Sequence, residues 1–396
     1  MNSTHKFLAN VSIFLVLFSQ IINVILPQRN AVSPIIWYAW IIICVFYVWN
    51  CLHTKGGQKS KRFLFLLFSF WVINLISFYI SPKILTCEYG DINTLEIFKS
   101  VTIALLSFYP FYYFTRHNCI SRKQLLFFLI ILFVFYGIDF VTSRADIIEA
   151  TSQEEGTFNA SYNFALIMPL VFLLHKNKKN LIYIFLSLFV VLIGAKRGAI
   201  LCFLVEMLIY LIYLLREDPF GKKHKGRIIF LMAVASAFIV FYLTSHDYLS
   251  QRIVQVSTED DISGQIRSMR YELLWNQFFS SEGKVFLFGY GFSQTVNIGG
   301  GLAHQDWIEV FIDNGIIGGV VYILLLFLCY RDITKSHISV PIVKYAYICC
   351  LAIWLIKGSF SMVYTSRRCF ILFIILGIIQ GIIRGHNEKR LLNNDK

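Results

Sequence analysis

A succession of long apolar segments constrains the fold of this chain more than any catalytic motif does. Twelve segments are candidates for membrane spans, near residues 7–26, 35–52, 63–80, 95–114, 124–141, 161–175, 181–194, 198–215, 228–243, 316–330, 340–356 and 368–383. A helix that crosses a bilayer needs about 20 apolar residues, within a range of roughly 17–25. The sequence therefore predicts an all-α polytopic membrane protein with about 12 transmembrane helices, in which residues 1–396 form a single membrane domain.

Composition supports this fold class and excludes several others. Hydrophobic residues make up 57% of the chain and charged residues only 15%. A soluble fold of this size could neither bury so much apolar surface nor cover it with polar residues. We therefore exclude a cytosolic enzyme, a disordered chain and a disulfide-stapled secreted domain. The net charge of +13 does not indicate a nucleic-acid-binding protein, because membrane proteins collect Lys and Arg in their cytoplasmic loops.

The distribution of Lys and Arg predicts the orientation of the chain. With the N-terminus in the cytoplasm, 23 of the 36 basic residues fall on the cytoplasmic side and 12 on the outer side. Because positively charged loops stay in the cytoplasm, we expect both termini there and a first helix that is retained. Basic residues that lie outside against this trend suggest an anionic ligand at the outer surface. They include Lys196, Arg197, Arg267 and Arg270.

The longest hydrophilic segment is predicted to lie outside, as a loop over residues 244–315 between the ninth and tenth spans. Residues 263–280 have helical periodicity and predict an amphipathic helix on the membrane surface. Its predicted apolar stripe comprises Ile266, Met269, Leu273, Leu274 and Phe278. Arg267 and Arg270 are three residues apart and share a face, so they could bind a diphosphate through bidentate hydrogen bonds. Contact with lipid headgroups is the alternative interpretation.

His304 lies on a glycine-rich loop just before a predicted short helix. Asp306 is predicted to be the N-cap of that helix and Glu309 the third residue of a capping box, and the helix is expected to end near Asn314 and Gly315. Histidine accepts and returns a proton near neutral pH, which makes His304 a candidate general base. A lone loop histidine is more often a surface residue. Asp306 could orient His304, although capping already explains it.

Charged residues within the predicted spans are functional candidates, because charge is costly inside a bilayer. Glu206 lies about two turns below Lys196 and Arg197, and we expect it to pair with a cation there. Lys99 falls inside a span, and Asp139 lies near the end of one. The sequence contains no Cys/His cluster with metal-ligand spacing, so we predict neither a metal site nor a cofactor.

Three segments resemble the O-antigen polymerase/ligase superfamily, in the order that this superfamily shows. They are LIGAKRGAIL at 192–201, SGQIRSMRYELLWNQFF at 263–279 followed by FLFGYGFS, and GLAHQDWIEVFIDNGIIGGVVYILLL at 301–326. The resemblance implies that His304 matches the essential histidine and Arg197 the first outer arginine. Arg267 or Arg270 matches the second. Gln305 stands where the superfamily usually has Asn.

The resemblance also implies a function. Members are inner-membrane glycosyltransferases that take a glycan from undecaprenyl diphosphate at the periplasmic face, here without a metal. Lys196 would assist the arginines in binding the diphosphate, with Asp306 and Glu309 behind His304. The forms of the KRGAI and HxDWIE segments resemble those of a polymerase, which adds the glycan to another lipid-linked repeat, while a ligase that uses lipid A-core stays open. Membrane lipid and a chain-length regulator are the expected partners, and nucleic acid is not.

A function of a different class, a flippase or transporter for lipid-linked glycans, also fits twelve spans with both termini inside. Such proteins commonly contain paired internal repeats and broken helices at the midplane. The sequence shows neither clearly. We therefore keep this class as the alternative to an enzyme.

Overall fold

The computed structural model describes residues 3–25, 32–53, 58–87, 90–151, 159–174, 179–227, 229–230, 262–335, 338 and 340–385. The first half of the chain forms α1 (Ser3–Ile25), α2 (Val32–His53), α3 (Gln58–Ile80), a hairpin of β1 (Ile84–Cys87) and β2 (Gly90–Asn93), α4 (Thr94–Leu106), α5 (Phe108–Arg116), α6 (Arg122–Thr151), α7 (Tyr162–Leu173) and α8 (Lys179–Ile193). The second half forms α9 (Arg197–Arg216), α10 (Pro219–Lys223), α11 (Ile262–Phe279), α12 (Gly283–Phe288), α13 (Thr295–Gly299), α14 (Asp306–Lys335), α15 (Pro341–Phe360) and α16 (Phe370–Gly385).

The helices confirm the predicted fold class. Eight helical segments of the described residues are long and apolar enough to cross a membrane, and three shorter apolar helices accompany them. These eleven segments correspond to eleven of the twelve predicted spans, with α4 and α5 together forming the fourth. The predicted ninth span, 228–243, lies outside the described residues apart from its first positions. The protein is therefore an all-α polytopic membrane protein.

The last helix, α16, lies at the centre of the bundle. Its side chains from Phe370 to Ile383 are all buried, and it packs along α5. Gly377 and Gly381 are four residues apart and face α5, where a Cβ on either would overlap the backbone of Phe108 or the side chain of Thr115. Small residues at this spacing let two helix backbones approach closely within a membrane.

A smaller second core lies at one end of the bundle, where α11 to α13 pack on the first half of α14. Its buried members are Leu274, Phe278, Ala303, Ile308 and Ile312. We refer to this part as the site end of the bundle. Helix α11 therefore packs against protein through part of its apolar surface.

Only part of the predicted stripe of α11 packs against protein. Leu274 and Phe278 are buried as expected, but Met269 is 68% exposed and Leu273 is 48% exposed. Tyr271 and Trp275 pack against the second core in their place. The physical reason is that one helical face, one residue away from the predicted one, meets α14.

Helix α14 breaks where the sequence predicts a helix end. Gly315 has φ 64° and ψ −165°, and the span proper continues after it. The backbone of the 289–291 turn crosses at this break, where Tyr290 N donates to the Ile312 carbonyl at 2.8 Å. A Cβ on Gly289 would lie 2.5 Å from the carbonyl carbon of Asp313, so only glycine allows this crossing.

Hydrogen bonds from the end of α3 connect the 289–291 turn and the break in α14 to the bundle. Ser77 Oγ donates to the Asp313 carbonyl at 2.9 Å, and Phe292 N donates to Ser81 Oγ at 2.6 Å. The Asp313 side chain accepts from Ser293 N at 2.8 Å. These bonds hold the second core, and the residues before α14, in a defined position above the bundle.

Candidate functional site

Basic residues from three separate elements surround one histidine at the site end. They are Lys196 in the turn before α9, Arg267 and Arg270 on α11, and Lys357 near the end of α15. The charges of all four act on His304, in the loop before α14. We call these four residues the basic cluster. The chain thus brings together segments that lie far apart in the sequence.

The turn that carries Lys196 is tightly packed against the start of α7. Ala195 adopts a left-handed conformation with φ 45°, and Lys196 is the extended N-cap residue of α9. A Cβ on Gly194 would lie 2.6 Å from the Cβ of Ser161. The turn therefore places Lys196 and the exposed Arg197 at a helix N-terminus, where backbone N–H groups favour an anion.

The two arginines of α11 occupy different settings. The Arg270 side chain lies across the glycine-rich loop, where a Cβ on Gly299 would be 3.0 Å from its Cγ. Its Nη1 donates to the Leu302 carbonyl at 3.3 Å. Arg267, one turn earlier, is exposed. Both act on His304, which favours the predicted anion-binding role over contact with lipid headgroups alone.

His304 is held by its backbone while its side chain remains accessible. The residue has φ 55°, in the left-handed region, and its N–H donates to Glu309 Oε1 at 3.1 Å. Although the side chain keeps contact with solvent, desolvation by its surroundings and the positive charges of the basic cluster lower the pKa of His304 to about 4. The imidazole is therefore neutral at pH 7, with one ring nitrogen able to accept a proton.

Asp306 and Glu309 do not form the predicted capping box. Asp306 is fully buried, and its carboxylate accepts hydrogen bonds from Val363 N at 2.9 Å and from the Tyr322 hydroxyl at 2.7 Å. Glu309 accepts from His304 N and, at 3.4 Å, from Thr365 Oγ1. The capping prediction is wrong because donors from the turn between α15 and α16 take the place of the first helical N–H groups. Both carboxylates instead fix the loop of His304 to that turn.

Lys357 is the residue that sequence reasoning missed. From the sequence it is only one of the 12 basic residues on the predicted outer side of the membrane. In the structure it is 4% exposed and lies at the end of an apolar helix. Its Nζ donates to the Met362 carbonyl at 2.5 Å and lies 4.6 Å from the ring centre of Tyr162. The available signal was a single lysine directly after the predicted span 340–356, at a depth where a charge is costly unless it has partners.

The charges predicted within spans have other environments. Glu206 is fully buried, and neither of its carboxylate oxygens has a hydrogen-bond partner in the described part of the chain. The expected pairing with a cation is wrong, because nine residues of helix place Glu206 about 13 Å below Arg197. Lys99 pairs with Glu96 at 3.1 Å.

Asp139 and Arg368 form an ion pair at the site end. Arg368 Nη2 lies 3.7 Å from Asp139 Oδ2, and Asn163 Nδ2 donates to the same oxygen at 3.1 Å. The carboxylate therefore neutralises the charge of Arg368. This separates Arg368 from the basic cluster, whose members act on His304.

Comparison with known families gives a match that covers part of the chain. The family model described as O-antigen ligase matches residues 182–323, and no curated protein matches the chain. The matched segment contains Lys196, Arg197, Arg267, Arg270 and His304, whereas Lys357 lies beyond it. The resemblance to the O-antigen polymerase/ligase superfamily is confirmed over this segment. Among the residues that the structure describes, no group of three or more His, Cys, Asp or Glu side chains could hold a metal ion.

Proposed function

We propose, from the O-antigen ligase match over residues 182–323, that this protein is a repeat-unit polymerase of the inner membrane. It transfers a glycan from undecaprenyl diphosphate onto another lipid-linked repeat at the periplasmic face. The observation that carries the proposal is the neutral His304 beside four positive charges. A base beside an anion-binding cluster is the arrangement that transfer from a lipid diphosphate requires.

The basic cluster would bind the donor and stabilise its leaving group. As the bond between the anomeric carbon and the phosphate oxygen breaks, negative charge develops on the diphosphate. Lys196, Arg267 and Arg270 would face this charge and stabilise it electrostatically. With these positive charges in place, the diphosphate leaving group could be stabilised without a divalent metal. Arg197 adds a further cation at the N-terminus of α9.

His304 would remove the proton of the acceptor hydroxyl as its oxygen attacks the anomeric carbon. The new glycosidic bond forms, the bond to the diphosphate breaks, and the proton resides on the imidazole. An anionic donor among the basic residues raises the pKa of His304 from about 4 toward its ordinary value. His304 thus becomes a stronger base when the donor is bound, and it stays unprotonated at neutral pH when the donor is absent.

A ligase is the second candidate function, in keeping with the O-antigen ligase family that matches residues 182–323. It would use the same donor and the same basic cluster, with lipid A-core as the acceptor. A deletion strain separates the two. A single capped repeat on the cell surface indicates a lost polymerase. Uncapped core with lipid-linked polymer accumulating indicates a lost ligase.

Purified protein supplied with lipid-linked repeats tests the enzyme class directly. The polymerase proposal predicts a ladder of longer glycans on a gel, formed in the presence of a chelator. Substrate that accumulates on the cytoplasmic face of a deletion strain, together with no elongation in vitro, would instead indicate a flippase. A chain-length regulator, if it acts here, should narrow the ladder without being required for it.

A further inference from the structure

Lys357 and Tyr162 make a contact that the proposed mechanism does not yet use. Tyr162 is the first residue of α7 and is 4% exposed. Lys357 Nζ lies 4.6 Å from the centre of its ring and also lies 3.5 Å from Ser361 Oγ. An ammonium group over a tyrosine face is attracted by the ring, more strongly when both are shielded from water. The contact therefore connects the end of α15 to the start of α7.

The other side of Tyr162 supports the turn that carries Lys196. The Tyr162 hydroxyl occupies the space next to Gly198, the second residue of α9, where any Cβ would overlap it. Glycine at this position therefore lets the phenol sit directly beneath the N-terminus of α9. A continuous set of contacts runs from Lys357 through Tyr162 to the Lys196 turn.

Lys357 also acts on the histidine by its charge. The charged groups that face His304 come from every element around it: Arg267 and Arg270 from α11, Lys196 from the turn before α9, and Lys357 from α15. Glu309, on α14, contacts its backbone. Lys357 differs from the other three in being buried and held by the Met362 carbonyl, so its charge is fixed in place.

We propose that Lys357 and Tyr162 are a positioning pair, which supports the Lys196 turn and supplies a buried positive charge that acts on His304. Neither residue touches the reacting atoms. Both lie outside the segment that matches the known family, 182–323. The inference rests on the proposed function for its consequences in catalysis, but its structural part can be measured without turnover.

The first test reads the titration of His304 in the purified full-length protein. Diethyl pyrocarbonate modifies the neutral imidazole, and mass spectrometry follows the peptide that contains His304 across pH 4–8. Lys357→Met should shift the midpoint of modification to higher pH, and Lys357→Arg should keep it near the wild-type value. Lys99→Met is the matched control, because Lys99 lies over the ring of Tyr38 at 5.3 Å without acting on His304.

The second test measures how Tyr162 affects the KM for the donor, which depends on the position of the Lys196 turn. Tyr162→Leu removes the ring and should raise KM for the lipid-linked donor about tenfold, with a smaller change in kcat. Tyr162→Phe keeps the ring over Lys357 but loses the hydroxyl beside Gly198, so it should raise this KM by less than Tyr162→Leu does. A split between KM and kcat of this kind is expected for a positioning role and not for a general loss of folded protein.

The outcomes separate this inference from the proposed function. A folded Lys357→Met protein with the wild-type titration midpoint for His304 would overturn the inference, even if the enzyme is active. If Lys357→Met does not fold, a folded Tyr162→Leu protein with the wild-type donor KM overturns it instead. If the wild type shows no transfer, the titration alone decides the inference, and only the proposed function fails.

Discussion

Alanine substitution of the two arginines on α11 should separate a group that acts on the substrate from one that also holds the loop. Arg267 is exposed, whereas Arg270 lies over Gly299 and donates to the Leu302 carbonyl at 3.3 Å. Arg267→Ala should therefore reduce kcat and leave the folded state intact. Arg270→Ala should reduce kcat and also loosen the glycine-rich loop that carries His304.

The magnitudes follow from these settings. A donor removed from the place where charge develops lowers kcat by roughly 10²–10³-fold, equivalent to about 2.7–4 kcal/mol. Arg267→Ala should show this loss with no change in melting temperature. Arg270→Ala should show a similar loss and, in addition, a free energy of unfolding lower by about 1–2 kcal/mol, because a charged hydrogen bond and the packing of the side-chain stem are removed.

The assay combines elongation rates on gels with thermal unfolding in detergent. Arg270→Lys is the informative companion, because it keeps the charge while losing the planar, bidentate group. Full elongation activity in a stable Arg267→Ala protein would refute the role of Arg267 at the diphosphate. Equal melting temperatures for the two alanine variants would refute the anchoring role of Arg270.

Three further predictions concern other parts of the molecule. The acid limb of kcat/KM should lie near pH 4, because desolvation and the charges of the basic cluster lower the pKa of His304 to about 4, and Arg267→Met should move this limb to higher pH; a limb near pH 6.5 in the wild type would contradict it. Gly289→Ala should abolish folding, since its Cβ would lie 2.5 Å from the carbonyl carbon of Asp313. Gly137→Ala is the control and should be tolerated, because no atom lies within 4 Å of its Cβ. The abundance of each variant in the membrane measures both effects. Glu206→Gln should not lower the melting temperature, because neither carboxylate oxygen has a hydrogen-bond partner among the described residues, and a clear loss of stability would indicate a partner.

Periodicity and hydropathy were sufficient for the fold class and for the helix break, and the reason is local. The apolar segments need only a length near 20 residues to be recognised, and Gly315 is a typical helix end. The face of α11 was predicted less well, since Met269 and Leu273 have the right spacing for a stripe that packing on α14 does not use. Periodicity alone cannot choose between two overlapping faces of one helix.

The site was predictable to the extent that its residues stand out by charge. Lys196 and Arg270 are predicted to lie outside, against the general distribution of charge, and His304 follows a glycine-rich loop. Lys357 could not be distinguished in this way, because its importance depends on contacts with Met362 and Tyr162 that no local pattern encodes. The environment of Asp306 was also nonlocal, since its partner Val363 lies in the turn after α15.

Release of undecaprenyl diphosphate by the purified protein tests the central claim most directly. Wild-type protein in liposomes with lipid-linked repeats should release it in step with glycan elongation. His304→Ala should abolish this release at equal protein abundance, while His53→Ala, an exposed histidine at the end of α2, should not. Wild-type rates in the His304→Ala protein would show that a base at this position does not take part in the transfer.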